Sequence, residues 1–268
     1  MTDFTEANRK YFDQMAATYK DRFANTMKTL SEQTSKHRFW ISDRWTDTEA
    51  GKGQEIKMLE YACGPGVISM TLAPFLTQVV GVDVSDNMVD EFNRNANAVG
   101  MTSKMTGYKA DLLADSVPTE FSGPEFNEFD VVTVSMALHH FEHPDIALQK
   151  LAKRLKNGGV CFIIDLVPHS GHGHDHGHSD DHSHDHSHDH DHGHSHGHNE
   201  HVKHQQEFGD AAHTVKTHGF SKEDMQKLFH GAGLSVKFDY EVLPEPLVFT
   251  KEERTFEKTA FIARAQLL

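Results

Sequence analysis

Asp83 closes the apolar run Val79-Val80-Gly81-Val82-Asp83, and the earlier run Met58-Leu59-Glu60-Tyr61-Ala62 enters the turn Cys63-Gly64-Pro65-Gly66. Both runs read as buried strands, and the first leads through its turn into a helix start. Gly64 and Gly66 let backbone approach a ligand where a side chain would collide. The following helix offers unpaired N–H groups and its positive end. A carboxylate after the second strand of a doubly wound sheet accepts both hydroxyls of a ribose. Turn and carboxylate together predict a nucleoside-bearing cofactor.

Two further groups carry chemistry. His139 and His140 follow the apolar run Phe129–Ser135, at a strand end that lines the ligand crevice of an open α/β sheet. His140 is the candidate general base for a hydroxyl or thiol, with cofactor binding or loop orientation as its alternatives. His139 is expected to turn into packing. The other group is a tract at 169–204 that holds 16 histidines among Gly, Asp and Ser. Its candidate metal ligands are His172, His174, His176, His178, His182, His184, His186, His188, His190, His192, His194, His196 and His198. Neutral imidazoles suit zinc, nickel and copper, and the dense spacing allows many alternative chelates without one fixed site. The metals are not expected to serve catalysis.

These groups need elements to hold them. Phe12, Met15, Tyr19, Phe23, Met27 and Leu30 recur at helical spacing and predict one amphipathic helical face over 1–50, an N-terminal cap. Tyr11 and Tyr19 are its polar-tipped members with reach toward a ligand. Ser85 caps a helix bearing Met88 and Phe92, and Met105 to Ala110 reads as a short third strand. Residues 114–128 read mostly as loop. Pro144 starts a helix that Asn157-Gly158-Gly159 stops, and the fifth strand runs from Val160 to Val167. Residues 51–167 form the cofactor-binding core. Residues 168–212 form a mostly disordered insertion, because the tract has no apolar periodicity from which to build a core. Residues 213–268 return to the core, with a helix capped by Ser221. Two final strands follow, Leu234 to Leu243 and Thr255 to Leu267, paired as a hairpin at one sheet edge.

Charge and composition narrow the function. The formal net charge is -14, from 40 acidic and 26 basic residues, and no basic stripe stands out, which argues against nucleic-acid binding. No apolar run reaches membrane-spanning length, and Met1-Thr2-Asp3-Phe4-Thr5-Glu6 is not a signal-peptide pattern. Cys63 and Cys161 read as buried strand thiols and exclude a disulfide framework, so a cytoplasmic protein is expected.

The combined pattern resembles the class I S-adenosylmethionine-dependent methyltransferases. Within them it is most similar to the small-molecule branch of ubiquinone/menaquinone-biosynthesis-like and fungal thiol methyltransferases. Glu60 to Gly66 match the first cofactor motif, Asp83 the ribose acid, and Asp111-Leu112 the motif beside adenine. Phe129 to Ser135 match the fourth-strand motif, and Leu155-Lys156-Asn157-Gly158-Gly159 the turn into the fifth strand. The resemblance implies a Rossmann-like seven-stranded α/β sheet. It also implies that Glu60 and the backbone near Ala62 and Gly64 hold the amino-acid end of the cofactor. Val84 and Met88 would flank the adenine, Asp111 accept its amine, and Leu112 support the ring. Ser135 and Met136 would line the opening toward the methyl group.

Family members often carry a further glycine where this chain has Val67 or Ile68. A nicotinamide oxidoreductase is a rival with the same ribose logic, but its third glycine would fall at Ser69. A cofactor-binding protein without catalysis is the other alternative. Two cysteines in separate strands disfavour arsenic methylation. The implied reaction is methyl transfer to oxygen or sulfur of a small organic acceptor.

Overall fold

The structure is a computed structural model that describes residues 2–168, 209–251 and 254–268. Two helices lead, α1 (Asp3–Arg22) and α2 (Ala24–Lys36), followed by the single turn α3 (Arg38–Ile41). The core alternates β1 (Lys57–Tyr61), α4 (Val67–Leu72), β2 (Gln78–Asp83), α5 (Asp86–Ala98), β3 (Met105–Lys109), β4 (Phe129–Ser135), α6 (Pro144–Ala152) and β5 (Leu155–Leu166). The chain closes with α7 (Lys222–Gly231), β6 (Leu234–Val242), β7 (Leu247–Lys251), β8 (Arg254–Lys258) and β9 (Ala260–Leu267).

The seven-stranded sheet runs β3-β2-β1-β4-β5-β9-β6. Strands β1 to β5 pair in parallel, and β9 enters antiparallel between β5 and β6. Side-chain alternation splits the core into two layers. Leu59 and Tyr61 of β1 face the layer holding Leu148 of α6 and Phe229 of α7. Met58 faces the layer holding Leu30 of α2, Ile68 of α4 and Phe92 of α5. With both faces covered, β1 is buried along its whole length, as its unbroken apolar reading requires.

The seven-stranded Rossmann-like sheet and the leading helices agree with the expectation. Several boundaries differ. The N-terminal apolar face is carried by two helices, because the chain leaves helical geometry at Phe23 (φ -118°, ψ 18°). Strand β5 starts at Leu155, before the glycines, and absorbs Gly158 (φ 76°) in an irregularity between Leu155 and Val160. Thr255 to Leu267 is two strands. The segment read as a loop after Pro244 contains β7, which pairs with β8 as a separate hairpin. The edge pairing belongs to β6 and β9. Residues 114–128 are mainly irregular, yet they bury Phe121 and Phe126. The histidine tract, its metal-ligand candidates and its expected disorder lie outside the described residues.

Candidate functional site

The strand order reverses between β1 and β4, so their carboxyl ends part and leave a crevice. Both ends are bent by residues with left-handed backbone, Ala62 (φ 53°) after β1 and Met136 (φ 53°) after β4. This conformation is uncommon for residues with a side chain and concentrates at functional sites. Gly66 also requires it (φ 84°), and a Cβ there would lie 2.6 Å from the Phe92 ring. Gly64 shares this conformation (φ 49°), but a Cβ there would meet nothing within 4 Å. It leaves the crevice floor open for a ligand.

Asp83 sits at this floor. One carboxylate oxygen accepts the N–H of Gly64 at 2.9 Å and the other accepts that of Ser85 at 2.9 Å. Each oxygen keeps a second lone pair for a ligand hydroxyl. Burial pushes Asp83 up from 3.8 to about 6 despite these bonds. Glu60 lies beneath the turn, accepts the N–H of Ser69 at 2.9 Å, and is pushed by burial up to about 7. Among the described residues neither buried carboxylate has a cation partner, so both favour a ligand that brings hydrogen-bond donors or positive charge.

A cavity of about 510 Å³ opens from Asp83. Val84, Met88 and Asp111 line one part of it, and Ser135, Met136 and His140 another. A second cavity of about 180 Å³ is walled by rings and aliphatic groups from α1, α2 and the β7–β8 hairpin. The two cavities share Phe12, Tyr19, Ala62, Gly64, Ser135, Met136 and His140, and Glu60 lines only the second. Leu112 is buried and lines neither, whereas its neighbour Leu113 does. Gly66 lines neither and serves the turn.

Nδ1 of His140 donates to the carbonyl of Thr214 at 2.7 Å when that nitrogen carries the proton, which makes Nε2 an acceptor. Burial, then the neighbouring His139, hold His140 well below its ordinary value, so the ring is neutral. His139 is buried, but it does not simply pack: its Nδ1 lies 2.7 Å from the carboxylate of Asp165, and it lines the second cavity. The thiols of Cys63 and Cys161 are pushed up by burial, Cys161 to about 12, and stay protonated. Among the described residues no group of three or more His, Cys, Asp or Glu could hold a metal ion.

Asp13 on α1 was not singled out by the sequence. Its carboxylate accepts the Ser85 hydroxyl at 2.6 Å and the Asn87 N–H at 3.2 Å, so α1 is docked onto the start of α5 beside Asp83. Asp13 carries no local signal, since it looks like any solvated helix residue. Thr214 contributes its backbone carbonyl, which any residue type provides. Phe249 and Phe256 wall the second cavity from a segment read partly as loop.

The family described as "Methyltransferase domain" matches residues 36–237, more than half of the chain. The chain belongs to the methyltransferase domain family. An uncharacterized methyltransferase of Schizosaccharomyces pombe is 36% identical over 116 residues, which is 43% of this chain and 40% of that protein. The ubiquinone biosynthesis O-methyltransferase of Idiomarina loihiensis is 30% identical over 129 residues, 48% of each chain. The matched regions thus span less than two thirds of these curated relatives. In fold, a methyltransferase structure from Anabaena variabilis, described as S-adenosylmethionine-dependent, superposes with a TM-score of 0.59 at 14% identity, covering 100% of this chain and 96% of that one. No helix among the described residues is long and apolar enough to cross a membrane.

Proposed function

We propose that this methyltransferase-family chain binds S-adenosylmethionine and transfers its methyl group to oxygen or sulfur of a small organic acceptor, in the cytoplasm. One observation carries the reading. A cavity containing Asp83 and Asp111 and a ring-lined cavity meet at Met136 and His140, at the crevice where the sheet reverses. The donor set fits the cofactor: Asp83 accepts from ribose hydroxyls, Asp111 from the adenine amine, Val84 and Met88 flank the base, and Glu60 favours the ammonium end. Leu112 supports this wall from behind. When bound, the cofactor supplies an electrophilic methyl on a sulfonium. The chain orients the acceptor, excludes water with α1 and α2, and offers the Nε2 lone pair of His140 to the acceptor proton.

Family membership and the 26–30% identity to ubiquinone biosynthesis methyltransferases support the small-molecule branch. The histidine tract adds zinc, nickel or copper binding that the reaction does not need. Calorimetry with S-adenosylmethionine and a screen of phenol, quinol and thiol acceptors for S-adenosylhomocysteine formation test the reading. Cofactor binding without product from any acceptor would favour a non-catalytic binding protein, and methylation confined to peptide or nucleic acid would defeat the small-molecule assignment.

A further inference from the structure

The second cavity has a direction. Its inner end is at His140, whose ring meets Phe12 edge-on at 5.2 Å. From there Phe12, Met15, Tyr19 and Arg22 follow along α1 at three- and four-residue steps, all lining the same cavity. Ten residues separate Phe12 from Arg22, so the helix carries the wall about 15 Å outward. Aromatic contacts continue the wall: Tyr19 meets Phe23 at 4.6 Å, Phe23 meets Phe249 at 6.1 Å, and Phe249 stacks on Phe256 at 5.4 Å. Phe256 is 39% exposed, so this ladder ends at the surface.

The charge at that outer end is cationic. Arg22 is exposed and lines the cavity, and its side chain makes no hydrogen bond or ion pair among the described residues. Lys258, two residues from Phe256 on β8, lines the same cavity nearer the sheet, at the root of the hairpin where it pairs with Leu247. Glu60 is the only carboxylate in the described lining, and it lies at the turn near the inner end. This polarity runs against a chain whose net charge is -14. An apolar tube with a cation at its mouth selects a slender molecule with an anion at one end.

We propose that the acceptor is an elongated apolar molecule whose carboxylate or phosphate end rests at Arg22, about 15 Å from the nucleophile that reaches Met136 and His140. The proposal rests on the methyl-transfer reading for which end reacts, while its charge and length selectivity can be read by binding alone. Three probes test it by calorimetry on the full chain loaded with S-adenosylhomocysteine: an octanoate bearing a terminal para-hydroxyphenyl group, its methyl ester, and the short para-hydroxyphenylacetate.

The long acid should bind about tenfold more tightly than its ester, and Arg22→Ala should remove that difference while leaving ester affinity unchanged. Arg22→Lys should retain part of it, because it keeps the charge but not the fork. The short acid should bind weakly and ignore Arg22. Equal affinity for acid and ester, equal losses on both in Arg22→Ala, or the same Arg22 dependence for the short acid would overturn the proposal. Methyl transfer is read separately as S-adenosylhomocysteine formed from the long acid. Binding that follows the Arg22 pattern without product would support this site while counting against the catalytic reading.

Discussion

The carboxylate of Asp83 accepts the backbone N–H of Gly64 at 2.9 Å, so the ribose candidate also clamps the glycine turn that opens the crevice. Asp83→Ala should therefore lose both a ligand acceptor and a turn constraint. Charge-assisted hydrogen bonds contribute about 1.5–3 kcal/mol each, so S-adenosylmethionine affinity should fall about 10- to 100-fold. Asp83→Asn, which keeps one acceptor oxygen, should fall less. Calorimetry checks both variants, with thermal melts to show that each is folded. Undiminished affinity in folded Asp83→Ala would sink the ribose assignment.

Cofactor binding should depend on pH with a defined sign. Burial raises Asp83 from 3.8 to about 6 and Glu60 from 4.5 to about 7. The ligand-free folded chain thus holds protons that the unfolded chain has released, and its stability from these groups declines as pH rises from about 4 to about 7. Ligand hydroxyls and an ammonium favour the ionised carboxylates, which reverses the sign for binding. Affinity should rise between about pH 5 and 8, with proton release near pH 6 to 7. Titrations in buffers of different ionisation enthalpy measure that release; its absence, with affinity flat across the range, would contradict the assignment.

His140→Ala should lower kcat by about 100-fold, the smaller end of general-base effects, because a neutral ring held well below its ordinary value is a weak base. The cofactor affinity should change little. The wild-type rate should show no inflection from this residue near pH 6.5, since it does not titrate there. A rate unaffected in His140→Ala would reduce the residue to lining.

Asp13→Ala should loosen α1 from α5. It removes the acceptor of the Ser85 hydroxyl and the Asn87 N–H, and it breaks the ion pair with Arg9 at 2.5 Å. A stability loss of about 1–2 kcal/mol is expected, together with a higher KM for cofactor and acceptor, because α1 walls both cavities. Urea unfolding and steady-state kinetics read the two effects. Unchanged KM values would show that α1 docking is independent of ligand binding.

The sheet and its crevice were legible because their signals are local. Buried parallel strands read as unbroken apolar runs, and a turn that needs positive φ demands glycine at Gly66. Ser85 and Ser221 are caps by the same local chemistry, and both accept the expected backbone N–H at 3.1 Å. What the sequence hid depends on distant partners. Asp165 meets His139 from the next strand, Asp13 reaches 72 residues to Ser85, and Phe249 meets Phe23 through a hairpin read as one strand and a loop. The missed break in the N-terminal helix left apolar spacing intact, because α2 resumes the same face one residue later.

The histidine tract enters the chain next to the site, so its removal is a demanding test. The chain that follows it is held independently. Thr214 accepts from His140, and the carbonyl of His139 accepts the N–H groups of Lys216 and Thr217 at 2.9 and 3.1 Å. Phe220 donates its N–H to the carbonyl of Leu166 at 2.9 Å, which re-attaches the chain to β5. Deleting 171–198 and joining the ends with a short flexible linker should therefore preserve folding, cofactor affinity and methyl transfer. Zinc and nickel uptake should drop sharply, because the deletion removes His172 to His198. In the intact chain, bound metal should be released as the imidazoles protonate below about pH 6.5. Equilibrium dialysis with each metal and a turnover assay in metal-free buffer make the comparison. Retained metal uptake would place the ligands elsewhere, and lost turnover in a folded, cofactor-binding deletion would make the tract part of the working site.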